Sequence, residues 1–296
     1  MPQDKEISAL LQLIDDPDQE VFETVAAKIL HYGPKIIPNL ESLWEETPDE
    51  ELQERIELLI HRVHYQSLQT DFKRWSTEAN PDLLQGALLV ARYRFPELSA
   101  DNILYEIDKI KRNIWLELNN YLTPLEQINV LNSMVYSYFG MKGAEISYSR
   151  PNQFFINHVV ETRKGNAISI GILYQTLCKQ LDIPVSAVNI PKQFILGYFD
   201  HPVELSLTTD LQPDEIQFFI DPLQGQIYTL KDIEIYLKRI DMPFQQSFFC
   251  PVNNKSVIRL LLQELAKCYE NEKEYFRCEE LQNLADIIQD PTILKF

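Results

Sequence analysis

The sequence predicts an α+β fold, and three observations carry the prediction. Helical hydrophobic stripes fill both ends of the chain, the texture changes to β-rich runs between Gly140 and Gln246, and a long apolar helical stretch at about 166–181 leads into those runs.

The first stretch is helical. Ile7, Leu10, Leu11 and Ile14 keep one stripe, and Val21, Phe22, Val25, Ile29 and Leu30 keep another that ends before Gly33 and Pro34. Leu40, Leu43 and Trp44 mark a third helix. Thr47, Pro48, Asp49 and Glu50 then supply a cap, a proline at the first position and a capping-box glutamate for a fourth helix, expected to reach about Tyr65. Two helix pairs recurring at about 30 residues look like repeats of the HEAT kind, which are marginal in so small a number.

More helices follow: residues 83–91 after Pro81, then Ile103, Ile107, Ile110 and Ile114 at helical spacing. Thr123, Pro124, Leu125 and Glu126 repeat the start signal for a helix expected to run to about Phe139. After the helix at 166–181, strands are expected at 185–190, 194–199 and 217–220. The turn Asp221-Pro222-Leu223-Gln224-Gly225 precedes a return strand at 226–229. The last helices, at about 254–269 and 274–288, look like one tetratricopeptide-like hairpin, which must pack on the α+β part or on a partner.

With 296 residues, 45% of them hydrophobic, the chain has room for two or three domains, expected at 1–75, 76–250 and 251–296. Lys and Arg number 27 against 44 Asp and Glu, a net charge of −17 that repels phosphates and anionic lipid heads. The basic clusters at 109–112 and 163–164 are too short to offset that field, so neither nucleic acid nor membrane is an expected partner. The opening residues lack the order of a secretory signal and no apolar run is long enough to span a bilayer, so the expected location is cytoplasmic. Cys178, Cys250, Cys268 and Cys278 follow no C-x-x-C spacing and are expected as reduced thiols.

Four linked runs carry a family resemblance. They are Asn152-Gln153-Phe154-Phe155-Ile156-Asn157-His158-Val159-Val160-Glu161-Thr162-Arg163-Lys164-Gly165, its continuation from Asn166 to Tyr174, Leu181-Asp182-Ile183-Pro184, and Ile190-Pro191-Lys192-Gln193-Phe194-Ile195-Leu196. Together they resemble the bacterial SirB-type family, a branch of the transglutaminase-like proteins, over roughly 83–290. The resemblance implies a papain-type core and takes in the C-terminal helical hairpin, while the N-terminal helical array before it looks like an addition. The resemblance also implies a nucleophile at the start of the core helix, a histidine on the next strand and an aspartate on the one after. A thiolate at a helix N-terminus is stabilised by the dipole, the imidazole takes its proton and the carboxylate fixes the tautomer.

In this chain the nucleophile position of the resemblance falls on Ala167, the histidine position on Gln193 and the aspartate position on Asp221. A methyl group cannot attack and a neutral amide cannot act as a base near neutral pH. No catalytic residue is therefore assigned. The resemblance leaves Asn152, Asn166, Gln193 and Asp221 as binding candidates.

Each candidate has a plainer reading. Asp221, closing a strand before a proline, can simply organise its turn. Gln193 is expected on the strand, as a buried partner of Asp221 or as a ligand contact. Ser169 is expected to bond locally at the helix start, and Cys178 to be a buried, inert thiol. Glu57, His61 and His64 share a helical stripe but lack a fourth ligand, so no metal is expected. Arg163 and Lys164 are expected to be solvated or ion-paired, with attraction of an anion as the other reading. His31, His158 and His201 are scattered and take no role.

No cofactor is expected, and the expected partner is a peptide or protein held non-catalytically by the degenerate cleft and the helical surfaces. The alternatives are a hydrolase or acyl-transferase with an unrecognised nucleophile, and a structural scaffold. The sequence does not fix the oligomeric state.

Overall fold

The structure is a computed structural model that describes residues 2–200, 215–271 and 274–288. The chain forms two compact units, Met1–Arg74 and Trp75–Phe296.

The first unit holds α1 (Pro2–Gln12), α2 (Gln19–Tyr32), α3 (Ile37–Glu46) and most of α4 (Glu50–Thr77). Asp18 caps α2 by accepting from the Glu20 amide at 2.9 Å. Gly33, at φ 63°, ends that helix in a conformation that glycine adopts without a Cβ clash. Leu10, Ile14, Phe22, Val25, Ile29, Leu40, Ile56, Leu59 and Val63 bury one core.

Two local expectations are corrected here. Asp49, not Thr47, caps α4, accepting from the Glu51 and Leu52 amides at 2.9 and 3.1 Å, while the Thr47 hydroxyl donates back to the Leu43 carbonyl. The helix also continues past Tyr65 to Thr77. Neither glycine nor proline interrupts it, and buried Leu68, Phe72 and Trp75 extend its apolar stripe.

The second unit opens with α5 (Leu83–Arg94), α6 (Ala100–Glu117) and α7 (Pro124–Asn132). Thr123 and Glu126 form the expected capping box. The expected helix to Phe139 instead changes at Ser133 into a π-helical stretch that ends at Tyr138, closed by the Phe139 amide on the Met134 carbonyl at 2.8 Å. A parallel pair of short strands, β1 (Lys142–Ala144) and β2 (Lys164–Asn166), brackets α8 (Ile156–Thr162).

Next come α9 (Ala167–Gln180) and the strands β3 (Val185–Val188), β4 (Ile195–Phe199), β5 (Ile216–Asp221) and β6 (Gln226–Tyr228), an antiparallel sheet in sequence order. Every residue of α9 from Ile168 to Cys178 is buried, so this helix has no solvent face and packs against α5, α8, β3 and β4. The chain continues through α10 (Leu230–Arg239), α11 (Asn254–Ala266) and α12 (Tyr275–Ile287).

The last two helices pack on each other, and α11 also packs on α5. Tyr93 of α5 donates to Glu280 of α12 at 2.8 Å. Buried Glu264 accepts from the Tyr148 hydroxyl at 2.8 Å and from Lys267 at 2.6 Å, so its charge is paired where water is scarce. Among the described residues no helix is long and apolar enough to cross a membrane.

Gly143 of β1 tests how closely the strand pair is fitted to the sheet. A Cβ there would lie 2.4 Å from the Leu223 carbonyl oxygen and 2.5 Å from its Cα, backbone atoms that cannot swing aside. Gly143→Ala is expected to destabilise the second unit by about 1–3 kcal/mol. Urea unfolding would read this as a lower midpoint, and an unchanged midpoint would mean that the close approach is not needed.

Candidate functional site

The start of α9 is built from backbone capping. Asn166 accepts from the Ile168 and Ser169 amides, each at 3.0 Å, and the Asn166 amide donates to the Ser169 hydroxyl at 3.1 Å. That hydroxyl in turn donates to the Gln153 carbonyl at 2.6 Å, which ties the helix start to the 3-10 turn Pro151–Phe154. Ser169 is 1% exposed and Asn166 is fully buried, so both are spent on holding the helix end. The Asn166 side-chain nitrogen Nδ2 has no hydrogen-bond partner among the described residues. Asn152 is exposed in the same 3-10 turn, where its carbonyl accepts from the Phe155 amide.

Ala167 is the first residue of α9 and is half-buried, while Asn166 before it and Ile168, Ser169 and Ile170 after it are buried. One turn further on, a Cβ on Gly171 would come within 2.3 Å of the Phe194 ring and 3.4 Å of Pro222. Residues four apart share a helix face. The face that carries Ala167 and Gly171 is thus turned to the start of β4 and the end of β5, one residue beyond Gln193 and Asp221 respectively. The strand register agrees: Leu196 pairs with Ile220, which sets Asp221 level with Ile195.

Gln193 departs from its expected place. It is exposed and lies in the turn before β4 rather than on the strand, with its amide on the Ile190 carbonyl at 3.4 Å. Pro191 and the left-handed Lys192, at φ 60°, turn the chain there, so the extended ladder begins only at Ile195. A buried pairing of Gln193 with Asp221 is therefore not formed.

Asp221 closes β5, half-buried. Its Oδ1 accepts from the Leu223 amide at 2.8 Å, and its carbonyl accepts from the Gly225 amide at 2.8 Å, an Asx turn. Burial pushes its carboxyl pKa up, and the bond from Leu223 opposes that shift. Tyr136 and Tyr228 lie close enough to feel the charge. Their hydroxyl pKa values are raised first by burial and then by Asp221.

Side chains that the sequence reading did not single out pin this turn. The Tyr136 hydroxyl donates to the Pro222 carbonyl at 2.7 Å, and Asn132 donates to the Gly225 carbonyl at 2.7 Å. Asn132 also accepts from the Tyr174 hydroxyl of α9 at 2.8 Å, and the Tyr136 and Tyr174 rings stack with centroids 6.4 Å apart. Asn132 ends α7 and Tyr136 belongs to the π-helical stretch. Asn132 is one of two asparagines in α7, and nothing in the local pattern separates it from Asn129.

The other candidates fall elsewhere. Cys178 is fully buried, and burial pushes its thiol pKa well up. Arg163 sits in the left-handed region at φ 62°, bridges Glu106 at 2.9 Å and lies over the Phe139 ring, while Lys164 is exposed in β2. The bond from Arg163 holds the Glu106 carboxyl below its usual pKa. Glu57 accepts from the Trp44 indole at 3.0 Å and His61 stacks on Tyr65. Among the described residues no group of three His, Cys, Asp or Glu side chains could hold a metal ion. His31 and His158 stand on α2 and α8, and His201 lies outside the described residues.

Known proteins place the second unit in context. The family described as the transglutaminase-like superfamily matches residues 101–263. The UPF0162 protein YchA of Escherichia coli K12 is 24% identical over 186 residues, which cover 62% of this chain and 65% of YchA. Protein SirB1 of Salmonella typhimurium is 23% identical over 198 residues, covering 66% of this chain and 69% of SirB1. A UPF0162 protein of Xylella fastidiosa is 29% identical over 130 residues, 41% of this chain and 45% of its own length. The chain thus spans just under two thirds of YchA. No solved structure matches it.

The half-buried carboxylate gives a pH test. A carboxyl whose folded pKa is raised destabilises the fold while it is ionised, and this cost disappears as pH falls through the folded pKa towards the unfolded one. Asp221→Asn keeps the acceptor for Leu223 and removes the charge. The variant should be more stable than the parent at neutral pH, with the difference shrinking as pH falls through the carboxylate range. Urea midpoints across that range would show it, and a difference independent of pH would count against a strained carboxylate.

Proposed function

The chain belongs to the transglutaminase-like superfamily, and we propose that it is a non-catalytic member that holds a peptide or protein partner at the mouth around Ala167, Gln193 and Asp221. The single observation that carries this reading is Ala167. The residue that opens the central helix is half-exposed, yet it offers only a methyl group where acyl transfer would need an attacking atom. Gln193 beside the mouth is an exposed amide, able to donate and accept hydrogen bonds but not to take up a proton. Asp221 uses Oδ1 on its own turn.

Such a set of groups can recognise and cannot turn over. A positioned base alone contributes about 10²- to 10⁴-fold to rate, and here the nucleophile is missing as well. The net charge of −17 favours a partner segment carrying lysine or arginine, through long-range attraction rather than through any one contact. Within the cytoplasm, such a protein would act by what it holds.

Peptide selection on the immobilised protein, followed by fluorescence anisotropy of the recovered peptides, tests the reading. Ala167→Trp should weaken those peptides at least about tenfold by filling the mouth, at an unchanged melting temperature. Peptides that bind this variant as tightly as the parent would move the site elsewhere. Robust amidase or amine-transfer activity of the unaltered protein, abolished by iodoacetamide, would instead make it an enzyme with another nucleophile.

The degenerate site also predicts a rescue. Ala167→Cys combined with Gln193→His would place a thiol at the start of α9 with an imidazole near it. Iodoacetamide labelling at position 167 should then be about tenfold faster at neutral pH than in Ala167→Cys alone, because a lowered thiol pKa raises the thiolate fraction. Equal rates would mean that position 193 does not reach position 167.

A further inference from the structure

Helix α6 has two apolar faces, and the fold uses one of them. Ile103, Ile107, Ile110 and Ile114 are buried. On the opposite side Leu104 is 37% exposed, Tyr105 64%, Trp115 66% and Leu116 71%. Single exposed hydrophobic residues need no explanation, but four on one helix face, including the most exposed of the chain's three tryptophans, form a patch of the kind that marks an interface. This patch is independent of the mouth around Ala167.

The order of residues along that face identifies the occupant. At 100° per residue, Leu104, Asp108, Arg112 and Trp115 fall within one stripe, and Tyr105 and Leu116 fall beside it. The apolar pairs 104/105 and 115/116 stand at the two ends, separated by about 16 Å of helix rise. Between them Asp108 forms ion pairs with Lys111, at 2.8 Å, and with Arg112. The apolar pairs are symmetric about the middle of the helix, and within the stripe the acid at 108 mirrors the base at 112, while Lys109 and Lys111, which mirror each other, flank the stripe on either side. The stripe is its own complement when reversed.

We propose that this face is a dimer interface on which α6 of a second copy of the chain packs antiparallel, about a two-fold axis near Ile110. Leu104 and Tyr105 of each copy meet Leu116 and Trp115 of the other, and Asp108 of each lies opposite Arg112 of the other. A two-fold interface requires one patch to match itself, and this sequence order meets that requirement without a separate acceptor surface. The antiparallel arrangement also opposes the two helix dipoles favourably. An exposed Asp108–Arg112 pair within one helix contributes little alone, whereas four alternating charges partly desolvated between two copies fix the register. The like charge of −17 on each copy opposes association, and at physiological ionic strength it is screened beyond about 8 Å. A single helix pair lies at the small end of specific interfaces, so the dimer is a weak one.

Sedimentation velocity of the full chain in 0.15 M salt, from about 5 to about 300 µM, tests the proposal over the affinities expected of so small an interface. The weight-average mass should rise towards twice 34.7 kDa with concentration. Trp115→Glu should abolish that rise, and Asp108→Arg or Arg112→Asp alone should weaken it at least tenfold. The double variant Asp108→Arg with Arg112→Asp should restore it, because the exchanged charges still match across the axis. Melting temperatures within a few degrees of the parent would show that the single variants fold. A parent that stays monomeric across the whole range would overturn the proposal and leave the face to a different partner. Dimerisation unaffected by the charge reversals, or not restored in the double variant, would equally overturn it.

Discussion

A helix that is covered on every side has no face to give to water, and α9 is such a helix, buried from Ile168 to Cys178. Its neighbours must therefore surround it. The sheet takes one side through β3 and β4, while α5 and α8 take others, and α5 in turn carries α11. At roughly 25 cal/mol per Å² of apolar surface, a helix so fully covered supplies a large part of the hydrophobic stabilisation of its unit. The arrangement also fixes where α9 begins, because Asn166 and Ser169 satisfy the first amides within the protein instead of leaving them to solvent.

Polar groups then set what apolar packing leaves free. Apolar contacts do not by themselves fix the direction of the turn between β5 and β6. Tyr136 and Asn132 bond its carbonyls at Pro222 and Gly225, and Tyr174 of α9 closes the chain of bonds through Asn132. Inside a protein such bonds are worth more than in water, and each would cost more if left unmade. The π-helical stretch that carries Tyr136 thus coincides with the place where a side chain reaches across to the turn that ends at Gly225. Asp221 holds the near end of that turn with its own side chain.

These constraints are independent of the chemistry that the superfamily's fold can support. Ala167 is half-exposed and Gln193 lies at the surface, so neither position carries core packing. Substitution at such positions costs little stability. Side chains at these two positions can for that reason differ while the fold is kept. The central helix, the sheet and the turn continue to hold the three positions whatever side chains they bear.

Periodicity and turn chemistry in the sequence marked most of the helices, the segments that become β3 to β6 and the capping of α7, because these depend on residues a few positions apart, whereas α8, α10 and the pairing order of the strands were not read from it. Linked motifs also determined the family and identified Ala167, Gln193 and Asp221 as positions to compare. Contacts between distant residues were not legible. The parallel pairing of β1 with β2 joins residues more than twenty positions apart, and the bonds from Asn132 and Tyr136 cross 93 and 86 positions. The extension of α4 to Thr77 and the displacement of Gln193 from strand to exposed turn were likewise decided beyond local pattern, by buried side chains in one case and by a left-handed Lys192 in the other. Local sequence sets which conformations are open to each segment. Only tertiary structure decides which of them buries its apolar side chains and satisfies its polar groups at once, and that joint requirement placed the turn, the helix start and the exposed face of α6.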